Sequence, residues 1–320
     1  MAANSCELNL CESFPFDQRA ADSVQGPRRA LKLADLAVDV LVAEALLTPK
    51  PALVDRRGSG AHRDLDLPRM LKSASALHGT FLNMATAAAG REPDQVLREQ
   101  LARIGRAGEG HMFAATGGSN AHRGAIWVLG LLVAARSIQG ETSPRGDSGP
   151  GSEAALRKTA ALAARIAAFP DRHAPTPTQD SHGAGVCRRY GVGGARGEAV
   201  AGFPHVVEVG LPAMWAARAQ GADETCARLD ALMAIMATLD DTCLLHRGGL
   251  PALQAAQRGA RDTLMAGGSS SAAGRRALLR LDAELVRRNA SPGGCADLLG
   301  ACIFLDSGHK QPPATALWAG

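Results

Sequence analysis

A chain of 320 residues with 46% hydrophobic and 21% charged side chains has the composition of a globular protein with one large domain or two small ones. Its net charge of +4 and its aromatic content of 3% argue against nucleic-acid binding, which needs a more basic surface or stacking side chains. The longest apolar run, residues 125–135, is too short to cross a bilayer, so no membrane attachment is expected.

The first residues and the cysteines indicate a cytoplasmic protein. Residues 1–17 lack the basic leader and apolar stretch of a secretion signal. The seven cysteines are odd in number and form no CxxC pair, which favours reduced, buried side chains over a zinc site.

Helical periodicity dominates from residue 28 onward, and no segment alternates with period two for long enough to predict a strand. Proline near predicted helix starts and glycine after predicted helix ends support the boundaries. The predicted helices span residues 28–47, 70–89, 93–114, 125–138, 153–169, 198–219, 224–239, 250–265, 275–289 and 296–305.

The predicted fold is all-α, a single multi-helix globular domain with an active site built from loops. We expect a flexible N-terminal arm over residues 1–27, the helical domain over 28–310 and a C-terminal tail over 311–320. Two segments rich in glycine and serine, 140–152 and 267–274, are predicted to be mobile surface connections.

Five polar clusters with glycines interrupt the helices, and the first spans residues 48–66. It gathers Lys50, Asp55, Arg56 and His62 between prolines that fix the chain and glycines that let it approach a ligand closely. A solvated loop with capping aspartates would explain the same residues, and this alternative stays open.

The second cluster, residues 116–124, runs directly into an apolar helix. Glycines before a helix N-terminus present free backbone N–H groups to an anion such as phosphate. A glycine-rich turn capped by Ser119 or Asn120 is the alternative. The candidate binding residues here are Gly117, Gly118, Asn120, His122 and Arg123.

The remaining three clusters add carboxylates and cations. Arg196 and Glu198 stand at a predicted helix start, where an internal ion pair is the alternative to a functional site. The adjacent carboxylates of Asp240 and Asp241 suit a divalent cation such as Mg²⁺, unless only one of them faces inward. Asp297 lies in the first turn of an apolar helix and serves either as a cap or as a metal ligand or base.

These clusters, in this order, resemble the triphosphoribosyl-dephospho-CoA synthase family. The matching stretches are TPKPALVDRRGSGAHRDLD, MFAATGGSNAHRGAIWVLGLL, SHGAGVCRRYGVGGARGEAVAGFP, LDDTCLLHRGG and SPGGCADLLGACIFL, which together span nearly the whole predicted helical domain. Ala52 stands where the citrate lyase versions usually have glycine, so the chain looks more like the malonate decarboxylase branch.

The resemblance implies an all-helical enzyme that joins ATP to 3′-dephospho-CoA and releases adenine. Its product, 2′-(5″-triphosphoribosyl)-3′-dephospho-CoA, would pass to a holo-acyl-carrier-protein transferase as the prosthetic-group precursor for malonate decarboxylase. Whether the enzyme is a homodimer stays open.

Such a reaction inverts the anomeric carbon, which implies a single displacement through an oxocarbenium-like transition state. A carboxylate must accept the hydroxyl proton, and the candidates are Glu198 and Asp55. Backbone N–H groups at Gly117 and Gly118 and several cationic side chains are suited to the triphosphate. These cationic side chains are Lys50, Arg56, Arg123, Arg196 and Arg247.

We also expect Mg²⁺ as a cofactor. It requires oxygen ligands, for which Asp240, Asp241 and Asp297 are the candidates. A histidine donates a proton to the departing adenine or binds phosphate, and the sequence does not rank His62, His122 and His246. Two rival functions stay open: a Mg²⁺-dependent helical hydrolase that cleaves an N-ribosyl bond with water, and a non-catalytic partner of the acyl carrier protein.

Overall fold

Helices form the whole framework of the computed structural model, which describes residues 18–140, 152–174 and 182–307. Within these ranges there is no strand, and the predicted all-α fold in one globular domain is confirmed. The helices are α1 (Gln18–Leu46), α2 (Leu67–Ala76), α3 (His78–Ala88), α4 (Gln95–Thr116), α5 (Arg123–Gln139), α6 (Glu153–Ala168), α7 (His182–Tyr190), α8 (Gly194–Val200), a π-helical turn (His205–Gly210), α9 (Leu211–Ala219), α10 (Glu224–Thr238), α11 (Thr242–Met265), α12 (Ala272–Arg287) and α13 (Gly293–Asp306).

Side-chain caps explain where many of these helices begin. An aspartate or serine oxygen accepts a backbone N–H of the first turn, which satisfies a group that has no partner inside the helix. The capping residues of α2, α4, α6, α10, α11 and α12 are Asp66, Asp94, Ser152, Asp223, Asp241 and Ser271.

Two predicted helices are interrupted in the structure. The helix predicted over 70–89 is divided at Leu77 into α2 and α3. The one predicted over 198–219 is broken between α8 and the π-helical turn, where Phe203 has a φ of 58° and Pro204 follows. A left-handed residue cannot continue an α-helix, so the chain changes direction there.

Two other helices are longer than predicted. α1 begins at Gln18, inside the segment predicted as a flexible arm, and the rest of that arm lies outside the described residues. α11 begins at Thr242 and passes through a kink at Gly249, whose φ of 64° divides it into two helical parts. The predicted tail over 311–320 also lies outside the described residues.

The turn between α11 and α12 is compact, so the prediction of a mobile connection over 267–274 is wrong. The backbone N–H of Ser269 donates to Oδ1 of Asp230 at 2.7 Å, and Ser269 is 2% exposed. Gly268, with a φ of 68°, packs against the same carboxylate, which a larger side chain would displace. The other predicted connection, 140–152, falls almost entirely outside the described residues.

α5 is the central helix of the assembly. Eleven of its residues are buried, and it packs against α1, α3, α4, α6 and α13. An apolar surface on all sides is typical of a helix enclosed by others. At its N-terminus Arg123 is exposed, whereas the adjoining His122 and Ala125 are buried and can be reached by residues of neighbouring helices. None of the described helices combines the length and apolar character needed to cross a membrane.

Candidate active site

Asp55 holds together the loop that follows α1. Its carboxylate accepts the backbone N–H groups of Lys50 (2.9 Å) and Arg57 (2.7 Å), and the Arg57 guanidinium pairs with it at 2.8 Å. Arg57 also reaches Asp282 of α12 at 2.8 Å. Because Asp55 is 2% exposed and its oxygens already have these donors, the geometry gives it a structural role and speaks against the predicted role of base.

Lys50 is buried and paired rather than open to a ligand. It is 1% exposed, and its Nζ donates to Oε1 of Glu44 at 2.5 Å and to the Glu44 carbonyl at 2.7 Å. A buried charge is stable only with such a partner. The predicted contact between Lys50 and the triphosphate therefore has no support in this geometry. Glu44 was missed in the sequence, although an acid beside the apolar residues Leu41 and Ala45 was a signal.

His62 lies between Ser291 and Arg247. Arg247 donates to its Nδ1 at 3.1 Å and to the Ala61 carbonyl at 3.2 Å, while Nε2 is 2.9 Å from the Ser291 hydroxyl. Burial, together with the positive charge of Arg247, lowers the pKa of His62 to about 4. His62 is therefore neutral at pH 7 and orients the exposed Arg247 side chain at the edge of the loop.

His122 lies deeper, before the first turn of α5. Its Nδ1 is 2.8 Å from the Ser73 hydroxyl, and its Nε2 is buried without a hydrogen-bond partner among the described residues. Burial and the nearby Lys50 charge lower its pKa to about 3. A neutral ring with one unused nitrogen fits a contact to a substrate group better than phosphate charge neutralisation.

Asp241 caps two helices at once. Its Oδ1 accepts the N–H groups of Cys243 (2.7 Å) and Leu244 (3.3 Å) at the start of α11, and its Oδ2 accepts that of Cys295 (2.8 Å) in α13. It is 1% exposed, whereas Asp240 is exposed. Only one of the two adjacent aspartates therefore faces inward.

Asp297 meets the N-terminus of α5. The N–H of Ala125 hydrogen bonds its carboxylate, and a Cβ on Gly124 would overlap its Oδ2, so only glycine allows this approach. Burial and the negative charges of Glu44 and Asp241 raise its pKa well above the usual range. Gly124, which precedes the apolar part of α5, therefore leaves room for the Asp297 carboxylate of α13.

Four of the five predicted clusters meet at one end of the helix assembly. Ser291, just before α13, contacts His62 of the first loop, and α13 itself contacts Asp241 and the start of α5. The fifth cluster adjoins them, because Gly194 at the start of α8 packs near Thr242. Segments far apart in sequence therefore surround one region, which we call the convergence region; its predicted residues are Lys50, Asp55, His62, His122, Asp241, Arg247 and Asp297.

Among the described residues, no three metal-ligating side chains group together, so this part of the chain alone does not supply a complete set of metal ligands. Asp240 is exposed and Asp241 is occupied with helix caps, so neither fits a shared site with Asp297. Asp297 alone fits, since a cation would offset the repulsion between its carboxylate and those of Glu44 and Asp241, and Mg²⁺ bound to phosphates needs only one or two carboxylates.

Glu198 forms a pair with His205, which the sequence did not single out. Oε1 of Glu198 accepts the His205 backbone N–H at 2.9 Å, and Oε2 is 2.8 Å from the ring Nδ1. The hydrogen bond from Glu198 raises the pKa of His205, and the charge of Asp240 adds to this effect. His205 is partly exposed, whereas Glu198 is buried, with 9% of its surface exposed.

The other predicted binding residues lie around this region on the surface. Arg56 donates from Nε to the Leu46 carbonyl at 3.3 Å. Asn120 accepts the Arg123 backbone N–H at 3.1 Å, although the N-cap residue of α5 is His122 and not Asn120 or Ser119. Arg123 pairs with Glu109 of α4 at 3.0 Å. The predicted residues with exposed positions are Arg56, Gly117, Gly118, Asn120, Arg123, Arg196, His246 and Arg247.

The family model of ATP:dephospho-CoA triphosphoribosyl transferases matches residues 30–314, most of the chain. The chain belongs to this family. It is therefore an enzyme, which sets aside the alternative of a non-catalytic partner. Membership in the triphosphoribosyl-dephospho-CoA synthase family also confirms the resemblance seen in the five motifs.

Curated bacterial relatives of this transferase family are similar over nearly their whole length. Each is named a probable 2-(5″-triphosphoribosyl)-3′-dephosphocoenzyme-A synthase. The relative from Azotobacter vinelandii is 53% identical over 89% of this chain and 94% of its own length. Those from Pseudomonas aeruginosa UCBPP-PA14 and Stutzerimonas stutzeri are 54% and 53% identical, with coverage of this chain at 90% and 91% and of their own lengths at 93% and 96%. No solved structure matches the chain.

Proposed function

We propose that this enzyme transfers the triphosphoribosyl group of ATP to the 2′-hydroxyl of 3′-dephospho-CoA and releases adenine. Family membership supports this reaction. The observation that carries it is the convergence region, where a first loop, the N-terminus of α5 and the starts of α11 and α13 meet. Buried acids, neutral histidines and a helix N-terminus together suit a ribosyl triphosphate.

The anions of the substrate lie, in this proposal, along the exposed edge of the region. Arg247 is held by His62, and the backbone of Gly117 and Gly118 is open next to α5. A guanidinium offers paired donors to phosphate oxygens, and a helix N-terminus favours negative charge. Asp297 would hold Mg²⁺, which would neutralise part of the triphosphate charge when it binds with ATP.

Glu198 is the proposed general base. It takes the proton of the 2′-hydroxyl while that oxygen bonds to the anomeric carbon, and the bond from this carbon to the adenine nitrogen breaks. Adenine leaves with the electron pair and takes up one proton. His205 is a positioning residue, since its two hydrogen bonds fix the Glu198 carboxylate.

The test is an incubation of the purified chain with ATP, Mg²⁺ and 3′-dephospho-CoA. We expect free adenine, and a CoA-derived product heavier by one triphosphoribosyl group, in equal amounts. Adenine released at the same rate without dephospho-CoA would support the rival N-ribosyl hydrolase and contradict the proposal. Absence of adenine in both reactions would contradict both functions.

We further propose a role in the cytoplasm in prosthetic-group synthesis for malonate decarboxylase. Ala52 supports this branch, because it stands where the citrate lyase versions usually have glycine; it is buried and has a φ of 55°, a conformation that glycine adopts freely. The product should be accepted by a holo-acyl-carrier-protein transferase acting on the malonate decarboxylase carrier protein. Transfer only to a citrate lyase carrier protein would contradict this assignment.

A further inference from the structure

A cleft of about 160 Å³ lies between parts of α4 and α5, beside the convergence region. Its floor is apolar and includes Met84, Ile126 and Leu131. Arginines and acids of both helices and of the segment after α6 form its edge. The charged lining residues are Arg98, Arg106, Glu109, Arg123 and Asp171.

Arg98 is the unusual residue of this cleft. It is 8% exposed, its Nε is buried, and this nitrogen has no hydrogen-bond partner among the described residues. Its guanidinium lies over the Trp127 ring, 4.9 Å from the centroid. Arginine is rarely this buried without an acid to pair with, because removing its charge from water costs free energy.

The charged residues around Arg98 further favour a bound anion beside its guanidinium. Burial lowers the pKa of Arg98; the charges of Asp171 and, more weakly, Glu99 oppose this effect, and the positive charges of Arg196 and Arg106 add to it. The two acids of the cleft are already engaged, since Asp171 pairs with Arg106 and Glu109 pairs with Arg123. Counted over the described residues, the cleft and the nearby Arg196 therefore carry four arginines against two lining acids.

The cleft also lies between the two parts of the proposed active site. Arg123 precedes Gly124, against which Asp297 packs, and Arg196 is two residues before Glu198. The Trp127 indole N–H donates to the Ala195 carbonyl at 3.1 Å, which joins α5 to α8 along this edge. A group bound in the cleft would thus belong to a substrate that also reaches Asp297 or Glu198.

We infer that this cleft is an anion subsite in which the Arg98 guanidinium binds a phosphate group of a nucleotide substrate. Both ATP and dephospho-CoA carry linked phosphates, and either could supply the group; the inference that the ligand is one of them rests on the proposed function. The apolar floor excludes water and strengthens the contact. The ion pairs at the edge are partly exposed and cost little to rearrange around a ligand.

Calorimetric titration of the Arg98→Met variant tests the inference. The probes are inorganic pyrophosphate, ATP and dephospho-CoA, each titrated separately, and Arg165→Met, at an exposed arginine of α6, is the matched control. We expect pyrophosphate and one of the two substrates to bind Arg98→Met at least about tenfold more weakly, because a charge-assisted contact to phosphate is lost. The substrate that loses affinity identifies the source of the phosphate, and Arg165→Met should match the wild type.

Wild-type affinity for all three probes in a folded Arg98→Met variant would overturn the inference. Should that variant not fold, Arg98→Lys keeps the charge and loses the planar fork, so binding should still weaken; an unchanged affinity there would also overturn it. The pyrophosphate titration needs no turnover. A wild type that binds pyrophosphate through Arg98 but releases no adenine would contradict the proposed function alone.

Discussion

Asp241 and Glu198 are both carboxylates in glycine-containing motifs, but their surroundings differ. Asp241 is 1% exposed and accepts three backbone N–H groups from two helices. Glu198 accepts one backbone N–H and the ring of the partly exposed His205. Asp241 therefore joins two helices, whereas Glu198, also buried at 9% exposure, is held by a single partly exposed residue.

The same contrast separates the cations. Lys50 is enclosed with Glu44, while Arg247 extends from the neutral His62 towards solvent. We propose that the buried residues assemble the region and that exposed residues such as Arg247 meet the ligand. Substitutions should accordingly divide into those that mainly lower stability and those that mainly lower turnover.

The largest loss of stability is expected for Lys50→Met. The substitution leaves Glu44 buried without its cation, which should lower the free energy of unfolding by about 3–5 kcal/mol. Urea denaturation followed by circular dichroism measures this change. Lys72→Met, at an exposed lysine of α2, is the control and should stay within about 0.5 kcal/mol of the wild type. Equal stability of the two variants would show that the Lys50–Glu44 pair does not support the fold.

A smaller loss is expected for Asp241→Ala. The N-termini of α11 and α13 would each lose a buried acceptor, at a cost of about 2–3 kcal/mol. The neighbouring Asp240→Ala removes an exposed carboxylate and should change the free energy of unfolding by less than about 0.5 kcal/mol. If Asp240→Ala were the more destabilising of the two, the assignment of the inward-facing aspartate would be wrong.

The third effect is small near neutral pH and grows on acidification. Because His122 has a folded-state pKa of about 3, below its ordinary 6.5, the unfolded chain binds more protons between these values. Stability should therefore fall as the pH drops from 6.5 towards 3, by up to about 1.4 kcal/mol per pH unit from this residue. Denaturation of the wild type and His122→Gln at several pH values isolates this contribution.

The stability advantage of the wild type over His122→Gln should shrink on acidification from pH 6.5 to pH 4. An advantage that stays constant over this range would mean that His122 is protonated alike in the folded and unfolded chains. It would contradict the buried, neutral state of the ring.

Local signals in the sequence were sufficient for the helical fold and for the segments that form the site. Prolines, glycines and capping aspartates act within a few residues of a boundary, so helices such as α10 were predicted nearly to their ends. The breaks at Leu77 and Phe203 were not predicted, although Gly202 and Pro204 were local signals for the second one. The compact turn at Ser269 depends on Asp230, which is 39 residues away and could not be found locally.

The roles of individual charged residues could not be predicted from the sequence in the same way. Asp55, Lys50 and Asp241 looked like ligand-binding residues, since glycines and other charges surround them in the sequence. Their partners Arg57, Glu44 and Cys295 are visible only when the chain is folded, and the last of these is 54 residues from Asp241. Arg98 was missed because the sequence shows neither that this side chain is buried nor that its Nε has no partner among the described residues.

Turnover of Glu198→Gln compared with Asp55→Asn tests the different roles proposed for these two carboxylates most directly. Adenine release is measured for both variants at a temperature where each is folded, together with its unfolding midpoint. We expect Glu198→Gln to lose at least about 10²-fold in kcat with a midpoint near that of the wild type. Asp55→Asn should have a lowered midpoint, because it weakens the contacts with Lys50 and Arg57, and keep kcat within about tenfold of the wild type. Near-normal turnover by Glu198→Gln, with an inactive but folded Asp55→Asn, would contradict the account.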